Sequence, residues 1–320
     1  MLDSRHTHAV PFTHLTKGEK MYQVDTPIIT SALVEELHFA SAVRKPTAMG
    51  TPLRYSSSFG CARQQGYAAF EIDPSEPMDE AGAWATGLGT IIHEKLQDAI
   101  SRKFPRAQFE VPSRIDDISG SCDALVDLRD IDDITHGMDD HQGTHILYEL
   151  KTMGTYSFDK QVGWNRMRGT VTEGEGPALK AIAQAGMNAV GIMAAAPSIN
   201  IEWLVMGSIT FEALSKNKAL NANVHGVNRF LAEYWIPQSY WLPIANEEIE
   251  RMRSIAYVVD NGYLPDRVAV GDDGQTITLN PSISKFWQCD YCAFRTICQQ
   301  DGNGQVRIID SVATQTTKEQ

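Results

Sequence analysis

Cysteine is scarce in this 320-residue chain, with five in all, too few at this length for a disulfide scaffold. Long apolar runs are missing too. The longest, around Val190 to Ala196, falls far short of the ~20 residues a membrane helix needs. Met1-Leu2-Asp3-Ser4-Arg5-His6 has no apolar stretch behind its charges, which argues against a secretory signal and for a cytoplasmic protein without membrane attachment. Positive charge is outnumbered, 28 Lys and Arg against 40 Asp and Glu for a formal net charge of −12. Bulk attraction to nucleic acid is thereby excluded, and any DNA contact must be local. No helicase P-loop (G-x4-G-K-[ST]) occurs, so any unwinding must come from another chain. What is present is ordinary globular composition, 42% hydrophobic and 21% charged, enough for one large or two modest domains.

Residues 1–54 read as a mixed arm with a short helical stretch near Ser31 to Val43, and nothing fixes His6, His8 or His14 in geometry. A Ser-rich turn leads into Cys61-Ala62-Arg63 and a helix over "RQQGYAAF". In "TGLGTIIHEKLQDAI", Leu88, Ile91, Ile92, Leu96, Ala99 and Ile100 form one helical stripe with His93 at its edge. "QFEVPS" (108–113), "GSCDALVDL" (120–128) and "HILYELKTM" (145–153) read as strands, the last two joined by an Asp- and Gly-rich loop. The chain is expected to loosen after Lys151, until Pro177 opens a helix to about Ala195. A strand over 200–211, helix and loop over 212–243, a helix over 246–259 and a loose polar tail (301–320) complete the expectation. The order helix–strand–strand–strand–helix–strand describes an α/β sheet core with helices packed against it.

Glu149 and Lys151 stand two apart in a strand, so both point to one side while Leu150 turns into the core. A carboxylate there can hold Mg2+ or Mn2+, and the lysine can orient water or neutralise a phosphate. E-x-K alone is more often an edge ion pair, and a stripe-edge histidine more often a packing residue. The lone Asp123 in an apolar strand tilts the balance, since it could share a metal with Glu149. Gln184 occupies an edge position on the following helix, where it could reach water or phosphate. Cys289, Cys292 and Cys298 supply three thiolates, one short of a tetrahedral zinc site or an iron–sulfur cluster. Cys122 should face into packing, which leaves Cys61 as the better fourth.

Together, "SFGCARQQGY", "GTIIHEKL", "GSCDALVD", "YELKT", "AQAGMNAV" and "CDYCAFRTIC" resemble the PD-(D/E)xK nucleases of the RecB type that carry an iron–sulfur staple. The resemblance spans roughly residues 55 to 300, and its specificity lies in one cysteine before the nuclease motifs and C-x2-C-x5-C after them. It implies a restriction-endonuclease-like mixed sheet core flanked by helices, in a nuclease domain (55–300) closed by a cysteine-cluster-stapled C-terminal cap. His93, Asp123 and Glu149 would be metal ligands with the Leu150 carbonyl, Lys151 the catalytic lysine, and Gln184 its companion. Cys61, Cys289, Cys292 and Cys298 would hold a cluster, most often [4Fe–4S] in the family, and Arg63 matches a basic residue after the first cysteine. The implied activity is a metal-dependent exonuclease on single-stranded DNA or DNA ends, serving CRISPR adaptation, phage recombination or repair. A helicase or CRISPR integration partner, and oligomerisation, stay open. So do two rivals: a non-catalytic DNA-binding or assembly subunit, and a zinc-stapled nuclease. The family usually has Q-x3-Y, whereas Gln184 is followed by Asn188, which could still face the cleft. Lys160, Trp164, Arg166 and Arg168 are the nearest basic and aromatic candidates for DNA contact.

Overall fold

The computed structural model describes residues 22–23, 53–76, 80–131, 143–165, 167–210, 223–224, 227–228, 230–282 and 287–311. The expected helix near Ser31 to Val43, the three amino-terminal histidines, most of the Asp- and Gly-rich loop and Arg166 lie outside them.

The main sheet is built from β1 (Tyr22–Gln23), β2 (Leu53–Arg54), β3 (Gln108–Ile115), β4 (Ile118–Asp127), β5 (His145–Met153), β6 (Ile201–Thr210) and β7 (Leu231–Pro237). Its order is β1-β7-β6-β5-β4-β2, with β3 also paired to β4. β4 and β5 are antiparallel, β5 and β6 parallel, and β6 and β7 antiparallel. The flanking helices are α1 (Ala62–Ala69), α2 (Glu80–Lys103), α3 (Thr155–Val162), α4 (Leu179–Ala195) and α5 (Gln238–Asp260). The chain is thus mixed α/β, with a mixed sheet and helices on both faces. Among the described residues no helix is long and apolar enough to cross a membrane.

Period-two alternation in β5 decides the layering. Leu147 joins Met206 and Tyr234 against Ile182 and Met187 of α4 and Trp241 and Ile249 of α5. Ile146, Tyr148 and Leu150 face the other way, toward Ile92, Leu96 and Ile100 of α2. Gly186 lets α4 and α5 close up, because a Cβ there would sit 2.7 Å from that of Ala245.

Several expectations need correction. Ile91 is 40% exposed although the helical stripe includes it, because the described α2 side chains that join the core on this face are Ile92, Leu96 and Ile100; the Leu88 side chain lies outside the described residues. The stretch after Lys151 is not loose. It holds α3, ended by Gly163 at φ 75°, and a hairpin pairing Trp164–Asn165 with Thr170–Val171. The region expected as helix and loop before Pro243 contains β7, and α5 starts at Gln238 and runs through Pro243. The tail is anchored as far as Ser311, although most of residues 302–310 are exposed. Val306–Arg307 pairs with Tyr263–Leu264, and the buried Asp301 accepts from Tyr67 Oη at 2.6 Å and Ser311 Oγ at 2.7 Å.

Candidate active site

The β4–β5 ladder stops at the pair Ala124 and Tyr148, and the candidate site fills the fork beyond it. Opposite the fork, Glu110 of β3 takes a left-handed φ of 48° and the β3–β4 register skips Asp123. Asp123 thus leaves the regular ladder. Its Oδ2 accepts the Leu150 backbone N–H at 2.7 Å, where a strand carbonyl would otherwise serve. Its Oδ1 lies 3.2 Å from His93 Nδ1, so α2 contributes the imidazole from the edge of its apolar stripe.

Glu149 and Lys151 share a side of β5, as their spacing requires, and Lys151 Nζ donates to Glu149 Oε1 at 2.8 Å. Gln184 of α4 joins both, accepting from Lys151 Nζ at 3.1 Å and donating to Glu149 Oε1 at 2.8 Å. His93 and Asp123 on one side, and Glu149, Lys151 and Gln184 on the other, dispersed over more than ninety residues of sequence, therefore meet at one fork, with the Leu150 amide between the two bonded groups. Leu150 contributes its amide, and its side chain is in the core.

Glu149 is only 2% exposed. Burial, reinforced by the nearby Asp123 charge and opposed by the Lys151 ammonium, pushes its carboxyl up to about 7. Burial works against the charged forms of His93 and Lys151, but the carboxylates prevail and raise both. Glu149 Oε2 is buried with no hydrogen-bond partner. An orphaned carboxylate oxygen beside a second carboxylate suits a hard divalent cation. In the arrangement seen, no group of three or more His, Cys, Asp or Glu among the described residues could hold a metal ion. His93 and Asp123 are bonded to each other while Glu149 is turned to Lys151 and Gln184, so ligation requires side-chain rotation.

The second cluster lies at the start of α1. Cys61, Cys289, Cys292 and Cys298 line one cavity with Tyr67 and Arg267. All four are free thiols. Burial raises Cys61, lifts Cys289 to about 11 and Cys292 to about 12, and neighbouring cysteines add to each shift. The buried Arg267 directs Nε to Cys298 Sγ at 3.2 Å and Nη1 to Asn303 at 2.7 Å. Four sulfurs with a guanidinium beside them have the donor chemistry of a metal or cluster bound by negatively charged thiolates, although the four as placed form no group that could hold an ion without rearranging. No motif in the sequence singles out Arg267; only the folded chain brings it to the cysteines. Cys122 is buried in the core between the sheet and α4, as expected.

Asn188 and Trp164 are not where the sequence suggests. Asn188 does not face the cleft. It is fully buried, its Nδ2 donating to the Ser121 carbonyl at 3.0 Å and its Oδ1 accepting from Ser113 Oγ at 2.9 Å. Trp164 packs in the core, where it cannot stack on a base. Lys160 is paired with Glu175 at 2.8 Å. Arg168 sits at the exposed hairpin turn, its backbone N–H held by Asn165 Oδ1 at 3.1 Å. Arg63 is buried and bonded to the carbonyls of Pro265 and Gly304, which makes it a clamp on the C-terminal segment. No protein-family model matches the chain, and no curated protein matches it.

Proposed function

We propose that the chain is a divalent-metal-dependent deoxyribonuclease, an exonuclease acting on single-stranded DNA or DNA ends. In this reading the mixed sheet is a restriction-endonuclease-like core, closed by a C-terminal cap that the cysteine cluster staples. The observation that carries it is the convergence of His93, Asp123, Glu149, Lys151 and Gln184 on one strand fork, with Glu149 Oε2 left unsatisfied.

His93, Asp123 and Glu149, with the Leu150 carbonyl, are the candidate ligands of Mn2+ or Mg2+. Such an ion supplies Lewis acidity toward a phosphoryl oxygen and a more acidic water. The chain's own groups do the rest. Lys151 fixes Glu149 by its 2.8 Å bond and offers an ammonium to orient water or to offset charge developing on phosphate. Gln184 bridges carboxylate and ammonium, keeping both at the fork. Asp123 is anchored by the Leu150 amide, which leaves Oδ1 for His93 or for a cation.

Cys61, Cys289, Cys292 and Cys298 would hold an iron–sulfur cluster with a structural role, tying the start of α1 to the segment after residue 287. Zinc is the competing occupant. Anaerobic purification with iron and sulfide analysis separates them: a brown protein absorbing near ~400 nm excludes zinc. The same preparation, incubated with Mn2+ and 5′- or 3′-labelled strands, should release nucleotides, and Asp123→Asn should not. Intact strands with wild-type protein in both Mn2+ and Mg2+ would overturn the proposal.

A further inference from the structure

Basic residues on β5, α3 and α5 are matched by carboxylates: Lys151 by Glu149, Lys160 by Glu175, and Arg251 by Glu248. Lys180 is the exception. It is exposed, and only through-space charge effects and desolvation act on it, with no ion pair or hydrogen bond among the described residues. It lies in the first turn of α4, one helical turn before Gln184, so the two side chains share a face. Gln184 in turn touches Lys151 and Glu149. Desolvation, and then repulsion from Lys151, hold the Lys180 ammonium below the usual lysine range, with Glu248 countering.

The placement is unfavourable for the fold. A cation in the first turn opposes the helix macrodipole, and α4 has neither an acidic residue there nor a side-chain N-cap. A lysine that opposes the dipole of its own helix, is repelled by a second lysine and forms no ion pair or hydrogen bond among the described residues contributes little to folding. Two ammonium groups close enough to repel each other beside one strand fork suit a polyanion lying across both.

We propose that Lys180 is a DNA-positioning residue that contacts a backbone phosphate beside the scissile one, on the strand lying over the start of α4. This rests on the DNA reading above. The test is binding of a fluorescent single strand to the full chain by anisotropy, with Ca2+ in place of Mn2+, across a KCl series. Loss of one phosphate contact makes the slope of log K against log salt shallower by about 0.7 for single strands. Lys180→Ala should show that change and weaker binding, while Lys180→Arg keeps the wild-type slope. The thermal midpoint of Lys180→Ala should equal or exceed that of wild type, since the conflict with the dipole is gone. A wild-type slope in Lys180→Ala, or a lowered midpoint, overturns the contact alone. Wild-type protein that binds no DNA at any salt concentration overturns both the contact and the reading beneath it.

Discussion

Asn188→Ala separates a fold role from a cleft role at the position where the resembled family carries tyrosine. The wild-type amide donates to the Ser121 carbonyl at 3.0 Å and accepts from Ser113 Oγ at 2.9 Å, with none of its surface exposed. Alanine leaves a carbonyl and a hydroxyl unmatched in the interior, at about 1–3 kcal/mol each. The Ser113 hydroxyl can rotate toward another acceptor and Ser121 is only half-buried, which favours the lower half of that range. The expected loss is about 3 kcal/mol in total. With a urea slope of about 3 kcal/mol per molar for a chain of this size, the midpoint should fall by about 1 M. Mn2+-dependent DNA cleavage per folded molecule should stay at the wild-type level. A variant that keeps its urea midpoint and loses cleavage would refute the reasoning and return Asn188 to the cleft.

Lys151→Ala should lower cleavage by about 10²–10³-fold, the usual effect of removing one preorganised charge-stabilising group; wild-type rates in an Mn2+ assay would remove Lys151 from the chemistry. The metal-free protein should lose stability as pH rises from the ordinary Glu149 value of 4.5 through about 7. In that window the folded state binds more protons than the unfolded one, and the penalty is absent below it and complete above it. Urea midpoints across the window should fall for wild type and fall less for Glu149→Gln. Gly66→Ala should destabilise by about 1–3 kcal/mol, although alanine is the better helix former. Its Cβ would meet Pro265 Cδ at 2.5 Å, and a proline ring cannot swing aside; a raised thermal midpoint would contradict this.

The site was legible where local periodicity alone dictates direction. The β5 bounds follow from apolar alternation, and the shared side of Glu149 and Lys151 follows from a period of two. Gln184 was placed on α4 by helical spacing. Features set by tertiary fit were not legible. Strand β7 includes Glu233, buried and hydrogen-bonded to Trp235 Nε1, and a charged residue in the middle of a short segment obscures its alternation. Helix α3 spans only eight residues between Gly154 and Gly163, too short for a period to emerge. Asn188 sits about 40° from Gln184 around the helix, yet hydrogen bonds with Ser113 and Ser121 hold it inward, and no pattern on α4 itself reports that.

The four-cysteine cavity also sets a timetable for biosynthesis. Cys61 leaves the ribosome more than two hundred residues ahead of Cys289, a delay of roughly 10 to 45 s at typical elongation rates. Through that interval the central sheet can assemble while Cys61 has none of its three sulfur companions. If the four sulfurs share a metal or cluster as proposed, loading must act late, after synthesis has passed Cys298, and a chain stalled before that point carries a strand fork without the full set of four thiols.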